Sequence, residues 1–339
     1  MEPPAEANPL NRLFETFTAY QRTAAFRAAI ELDVFAAIAE GYDTPAALAT
    51  RCRASERGLR ILCDALTATG FLRKRDGRYA LDPELGPFLD RNSPGYLSSA
   101  VMFIGSPMLM QAFADLSGAV RKGGTTFDEE GAVAPENPIW VDFARAMAPI
   151  ATLSAQLIAG LLDADGGHPW SVLDVAAGHG MFGITLAQRN PKARVAALDW
   201  ANVLAVAQEN AERAGVADRF RKIPGSAFTT DLGSGYDLVL LTNFLHHFDV
   251  ATCETLLRRV HAVLRPGGRA VTLEFVPDDD RVTPVEAATF SLVMLAMTPS
   301  GDAYTYAEYE RMFRRAGFAR SELHALPPSI QRIVISYRE

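Results

Sequence analysis

Ser171-Val-Leu-Asp-Val-Ala-Ala-Gly-His-Gly180 reads as a buried strand that runs into a turn holding two glycines, and Met181 to Gln188 then follows a helical pattern. Glycines at 178 and 180 remove the side chains that would keep a nucleotide-like ligand away from the backbone. A second strand-like run ends in Asp199-Trp200, 25 residues after Asp174. At the end of that strand a carboxylate can hold both hydroxyls of a ribose. The pairing points to an adenosine-containing ligand without saying which one.

The bulk properties set limits around that core. At 339 residues the chain exceeds one average domain, so two domains are expected, and 49% hydrophobic residues suffice for a sizeable core. A net charge of −7 and a pI near 5.5 weigh against nucleic acid as the main partner. No uninterrupted apolar run reaches the ~18 residues of a membrane helix. The start, Met-Glu-Pro-Pro-Ala-Glu-Ala-Asn, is unlike a signal peptide. Cys52, Cys63 and Cys253 have no metal-ligand spacing, and they read as reduced thiols of a cytoplasmic protein.

Upstream of the glycine turn the periodicity is helical. Tyr20 to Ala39 carries Ala25, Ala28, Ala29, Leu32, Phe35, Ala36 and Ile38 at the spacing of one amphipathic helix. Thr44-Pro45 and Ser55 open two more helices, the second running through Leu59, Leu62 and Leu66 to Gly70. Two short strands around Asp76-Gly77 follow, and three helices with such a hairpin make a winged helix. Arg51, Arg53, Arg57, Arg60, Arg73, Lys74, Arg75 and Arg78 raise a DNA-binding reading, but the acidic chain favours subunit pairing as the use of this fold. Leu97 to Met110, rich in Met, Phe and Leu, adds apolar surface for that. Residues 106–165 read as connecting helices, with Trp140, Phe143, Met147, Ile150 and Leu153 at helical spacing; Phe143 and Met147 are candidates for roofing a pocket.

Downstream, strands at Val172–Ala176, Val195–Asp199, Phe220–Ile223, Leu238–Leu241 and Ala270–Phe275 alternate with helices, the pattern of a parallel sheet covered on both faces. Arg320–Leu326 and Gln331–Tyr337 break it as an antiparallel hairpin at the sheet edge. Gly178-x-Gly-x-x-Gly183 keeps a dinucleotide fold open, yet the C-terminal hairpin fits a cofactor without phosphates better.

Leu32-Asp-Val-Phe, Thr44-Pro-x-x-Leu-Ala49, Leu59–Gly70, Asp174-Val-Ala-Ala-Gly-His-Gly180 and Leu264-Arg-Pro-Gly-Gly268 together resemble the class I S-adenosylmethionine-dependent methyltransferases, in the plant-type O-methyltransferase family with its bacterial small-molecule branch. The resemblance spans nearly the whole chain. It implies an α/β Rossmann-like doubly wound sheet with a C-terminal antiparallel hairpin, preceded by an all-α winged-helix dimerisation domain. Residues 10–105 would form that domain, 106–165 the connecting helices that contribute to the substrate pocket, and 166–339 the S-adenosylmethionine-binding domain. The partners implied are a small-molecule substrate and a second copy of the chain, with no nucleic acid and no membrane.

Residue by residue, the resemblance puts Gly178 and Gly180 along the methionine part of S-adenosyl-L-methionine, Asp199 on the ribose and Trp200 at the adenine edge. Gly225-Ser226-Ala227-Phe228 stands where the family usually has an acidic residue toward the adenine amine, so adenine recognition falls to Phe228, Ala227 and Trp200. Asp174, Ala176 and Asn243 complete the cofactor-binding set. In Asn243-Phe-Leu-His-His-Phe-Asp249, His246 occupies the position of the family's general base, and Glu274 that of its orienting acid. Imidazole titrates near ~6.5, so its neutral form can take the proton of a phenol at cellular pH. Two departures leave the acceptor open. Ala303 stands at the family's second acidic position, beside Asp302, and Thr242 replaces a common lysine. Transfer to carbon or nitrogen, a DNA-binding regulator with a ligand-sensing domain, and a rearrangement other than methyl transfer are the rival readings. Scattered apolar residues (Phe103, Met147, Phe290, Met294, Met297) are the pocket candidates, and adjacent histidines expected to point apart argue against a metal at His246, His247 and Asp249.

Overall fold

A computed structural model describes residues 8–127 and 131–339, which form two compact units divided after Pro107.

The first unit contains α1 (Pro9–Glu31), α2 (Val34–Ala39), α3 (Pro45–Cys52), α4 (Glu56–Ala68), β1 (Leu72–Arg75), β2 (Arg78–Leu81), α5 (Gly86–Leu89) and α6 (Ala100–Ile104). The single helix expected over Tyr20–Ala39 is two helices. Its first part starts earlier, at Pro9 behind the Asn8 cap, and the chain breaks at Leu32-Asp33, where Asp33 sits at φ +58°. That left-handed residue turns the chain so that five consecutive residues, Val34 to Ile38, are buried. Thr44 and Ser55 cap α3 and α4 by accepting from the backbone N–H of Ala47 and Gly58. Asp76 and Gly77 both take positive φ, the geometry of a two-residue hairpin, so the unit is helical with a β wing rather than all-α. The wing docks through Tyr79, whose N–H donates to the Asp43 carbonyl at 2.8 Å and whose hydroxyl donates to Asp64 at 2.7 Å. Several of the basic residues are paired: Arg51 with Glu40, Arg60 and Lys74 with Asp64, Arg73 with Asp82, Arg78 with Asp43. One face of α1 stays open in this unit, with Leu10, Leu13, Phe14, Phe17 and Tyr20 each more than half exposed.

The second unit continues with α7 (Pro107–Ala114), α8 (Leu116–Lys122), α9 (Ile139–Leu161), β3 (Ser171–Val175), α10 (Met181–Arg189), β4 (Arg194–Asp199), α11 (Ala201–Arg213), β5 (Phe220–Pro224), β6 (Tyr236–Thr242), α12 (Val250–Val263), β7 (Leu264–Glu274), α13 (Val285–Met297), α14 (Tyr306–Arg315), β8 (Arg320–Ala325) and β9 (Arg332–Tyr337). The strands form one sheet in the order β5-β4-β3-β6-β7-β9-β8, parallel from β5 to β7 and antiparallel for the last two. Alternation along the strands feeds two cores. Val172, Val195, Ala197, Leu238 and Leu240 face one, with Ala155, Ile158, Ile184 and Leu204 of α9, α10 and α11; Leu173, Val175, Leu198, Val239 and Leu241 face the other, with Leu257, Val260, Tyr309 and Phe313 of α12 and α14. Burial on both faces is what makes these strands predominantly apolar in the sequence. The order reverses between β3 and β6, and that crevice at the strands' carboxyl ends is where open α/β sheets receive ligands.

Helix α9 corrects the sequence reading on one point. Over its 23 residues it is long and apolar enough, by length and composition, to cross a membrane. Its apolar side instead packs against α10 and α11, with Ala144, Ala155, Ile158 and Ala159 buried.

Candidate active site

The turn after β3 is built by backbone geometry. Ala176 takes φ +54°, Gly178 φ +57° and Gly180 φ +74°, so the chain reverses tightly before α10 starts. The two glycines do different things. A Cβ on Gly180 would sit 3.1 Å from Ala207 and 3.2 Å from the Phe220 ring, so this glycine seats the turn on the core rather than lining an open cleft. At Gly178 the nearest atom would be Phe143 Cε1 at 3.7 Å, which brings α9 over the turn. Gly183, the possible third glycine of a dinucleotide motif, is forced by packing: a Cβ there would fall 2.7 Å from Val195 Cγ1 and 3.0 Å from Asp174 Oδ2.

Two carboxylates hold this turn. Asp199, at the end of β4, accepts the N–H of Gly178 at 2.8 Å and the N–H of Trp200 at 2.7 Å. Burial nonetheless raises its pKa to about 6. Asp174 is fully buried, accepts only the Gly183 N–H at 3.1 Å, and has no hydrogen-bond partner for Oδ1 among the described residues. Desolvation pushes its pKa up to about 8. Between the glycines, His179 is buried, accepts the Met181 N–H at Nδ1 and lies parallel to Phe143, and burial lowers its pKa to about 4.

The β5 turn abuts Asp199, because the Gly225 N–H donates to the Asp199 carbonyl at 2.9 Å. In that turn the Ser226 hydroxyl accepts the Phe228 N–H at 3.2 Å, Ala227 is buried, and Phe228 meets Phe248 edge-on. Arg259 of α12 clamps the turn through the carbonyls of Ala227 and Thr230.

On the other side of the crevice, Asn243 leaves β6 at φ +54°, matching Ala176 at the end of β3. Two non-glycine residues in the left-handed region, facing each other across a strand-order reversal, mark strain of the kind that gathers at ligand sites. The Asn243 side-chain oxygen accepts from Gln331, a residue the sequence reading missed because its contact spans 88 positions.

The following turn carries the histidines. Glu274, fully buried at the end of β7, accepts the N–H groups of Phe244 (3.0 Å) and Leu245 (2.9 Å) on Oε1, and its Oε2 is hydrogen-bonded to His246 Nδ1. A carboxylate with three donors is acceptor-only, so Nδ1 carries the proton and the Nε2 lone pair is free. Phe290 of α13 closes one side of the imidazole edge-on at 4.8 Å and itself stacks on Phe275. Met294 and Met297, expected as pocket lining, are instead buried core, while Met147 is partly exposed on α9. Phe103 belongs to the first unit.

One expectation needs correction. Adjacent histidines do not point apart: the rings of His246 and His247 lie 4.3 Å apart, inclined by 35°. The short 3-10 turn Leu245–His247 rotates successive side chains differently from an α-helix start. Asp302, beside the position of the missing second acid, is engaged elsewhere. It pairs with Arg281 at 3.2 Å, which also binds Glu308, while its other oxygen caps the Ala303 N–H. Ala303 is fully buried.

Comparison with known proteins places this geometry. Residues 121–319 match the O-methyltransferase domain, and residues 14–84 match the O-methyltransferase dimerisation domain. A 3-hydroxy-5-methyl-1-naphthoate 3-O-methyltransferase from Streptomyces sahachiroi is 31% identical over 321 residues, covering 93% of this chain and 91% of the relative. A crystal structure from Nostoc punctiforme, described as a candidate O-methyltransferase, is 50% identical, covers 99% of this chain and all of its own, and superposes with a TM-score of 0.91. The structure of PigF with SAH is 25% identical, covers 97% of this chain and 99% of its own, and has a TM-score of 0.83. A doubly wound sheet ending in an antiparallel hairpin, the glycine turn facing Asp199, and these matches over both units lead to one conclusion: the chain belongs to the O-methyltransferase family.

Proposed function

We propose that this enzyme transfers the methyl group of S-adenosylmethionine to the hydroxyl of a small aromatic acceptor, with His246 as general base. The observation that carries the reading is the buried His246–Glu274 pair, set at the carboxyl ends of β6 and β7 beside the strand-order reversal. When bound, S-adenosylmethionine supplies an electrophilic methyl on a sulfonium sulfur.

The residues present suit that group. Asp199 keeps lone pairs beyond its two backbone contacts for the ribose hydroxyls. Asp174 has a buried oxygen without a partner among the described residues, the kind of acceptor a cationic ligand group satisfies. Gly178, Gly180 and Ala176 shape the loop along the methionine part, and Asn243 borders it from β6. Trp200, Ser226, Ala227 and Phe228 border the adenine, with Ser226 offering a hydroxyl instead of a carboxylate.

The chain's own work in the reaction is to orient and to move one proton. Glu274 fixes the His246 tautomer, so that Nε2 accepts the acceptor's O–H proton as that oxygen becomes nucleophilic, and the resulting imidazolium is balanced by the carboxylate already on Nδ1. Phe290 beside His246 and Phe143 over the glycine turn give flat, apolar surroundings that suit an aromatic ring. Glu274 is the only carboxylate bonded to His246 among the described residues. The exposed apolar face of α1, on a unit that matches a dimerisation domain, fits a homodimer. Three free cysteines, two of them fully buried, fit the reducing cytoplasm.

Incubation with methyl-labelled S-adenosylmethionine and a panel of phenols, including 3-hydroxy-5-methyl-1-naphthoate, with keto acids and amines alongside, tests this. Label on a phenolic oxygen supports the reading, and label only on carbon or nitrogen overturns O-transfer. His246→Ala is expected to abolish transfer while S-adenosylhomocysteine still binds; retained transfer overturns the base assignment.

A further inference from the structure

The turn after β6 holds a second buried histidine that the proposed chemistry does not use. His247 is fixed from two directions. Its Nδ1 lies 3.2 Å from the Phe244 carbonyl, which can only accept, so Nδ1 is the donor. Trp140 of α9 meets its ring edge-on, centroids 5.2 Å apart at 76°, and Trp140 is itself pinned by donating Nε1–H to the Ala132 carbonyl at 2.9 Å. Burial, and next the neighbouring His246, hold the pKa of His247 well below the ordinary imidazole value, so its ring is neutral.

His246, by contrast, is held on its ring atoms by a single hydrogen bond, to Glu274, among the described residues. The second side-chain torsion of histidine is broad and roughly two-fold, so one bond leaves the ring free to rock. A half-turn would exchange Nδ1 for a carbon and lose the carboxylate. What opposes that motion is packing: Phe290 on one side at 4.8 Å, and His247 on another at 4.3 Å.

We propose that His247 is a positioning residue, whose ring, seated by the Phe244 carbonyl and Trp140, is the wall that keeps His246 Nδ1 aimed at Glu274 and its Nε2 free to take a proton. The role rests on the reading of His246 as the base. It belongs to the ring and not to the hydrogen bond, so His247→Phe preserves it and His247→Asn, which keeps a donor but has no ring, removes it.

The test is one-dimensional proton NMR of the full-length protein saturated with S-adenosylhomocysteine, following the downfield His246 Nδ1 proton, assigned by its absence in His246→Ala. The wild type and His247→Phe are expected to show the resonance, and His247→Asn to lose it to exchange broadening, with S-adenosylhomocysteine affinity unchanged within threefold. An undiminished resonance in His247→Asn, or its loss in His247→Phe, overturns the proposal. If the Asn variant fails to bind S-adenosylhomocysteine, His247→Leu, apolar and non-planar, takes its place with the same expectation. A wild type that lacks the resonance refutes the His246–Glu274 bond beneath both readings, whereas transfer by His246→Ala refutes the base alone.

Discussion

Glu274→Gln isolates what the buried carboxylate does, because it exchanges one oxygen for an NH2 group in a site with three donors. The wild-type side chain accepts two backbone N–H groups on one oxygen and His246 on the other. Glutamine has one acceptor oxygen and one NH2 group, so it must choose. Pointing the NH2 at the backbone opposes two buried N–H donors, each costing about 1–3 kcal/mol when left unsatisfied. Pointing it at His246 opposes a single donor, and the imidazole relieves that clash by moving its proton from Nδ1 to Nε2. The second arrangement wins by about 2 kcal/mol or more. The variant therefore folds with its turn intact and its base in the wrong tautomer. General-base catalysis contributes roughly 100- to 10,000-fold, so kcat is expected to fall by that factor while S-adenosylhomocysteine affinity stays unchanged. Single-turnover transfer of labelled methyl gives the rate, and calorimetry gives the affinity. A rate within about threefold of wild type would refute the tautomer argument, and an equal loss of rate and affinity would assign Glu274 to building the turn.

Two further perturbations follow from the glycine turn. Asp199 has its pKa raised by burial to about 6, so in the ligand-free protein it gains a proton as pH falls through that value. If the ribose hydroxyls need the carboxylate, S-adenosylhomocysteine affinity should lose about tenfold between pH 7 and pH 5 through Asp199, and Asp199→Asn should bind weakly and lack the step centred near pH 6. Calorimetry across the range checks this, and a flat wild-type profile would remove Asp199 from cofactor binding. Gly183→Ala forces a methyl group to within 2.7 Å of Val195 and 3.0 Å of Asp174 on a fully packed sheet. Overpacking of that kind costs about 1–3 kcal/mol, an expected drop of several degrees in Tm. A variant with unchanged Tm would show that α10 can shift off the sheet.

The legible and illegible parts of this protein divide along physical lines. The parallel strands were readable because both faces are buried, which makes segments such as Val195–Leu198 and Leu238–Leu241 continuously apolar. Helix starts at Thr44 and Ser55, and the turn at Asp76-Gly77, were readable because capping and positive φ are local demands. The helix break at Asp33 was not, since aspartate in the left-handed region is a minority conformation that leaves the periodicity around it undisturbed. Nor did local patterning separate Gly180 from Gly178, although one packs on Ala207 and Phe220 and the other lies under Phe143.

At the site, residue type, position and family resemblance name the chemistry-bearing residues and pair Glu274 with His246, but they do not show how the fold brings the two together. His246 and Glu274 are 28 residues apart and meet only because β6 and β7 are neighbours in the sheet. Asp302 stands beside the position of the missing second acid in the sequence, and in the fold Arg281 holds it. By itself, then, the chain specified its elements, its two-part division and the kind of ligand its glycine turn admits, because these follow from periodicity, capping and the absence of side chains at set positions. How Glu274 reaches His246, which glycine packs on the core and which lies under Phe143, and that two neighbouring histidines share one buried space were decided by the tertiary structure, since each depends on contacts between segments that only the folded sheet brings together.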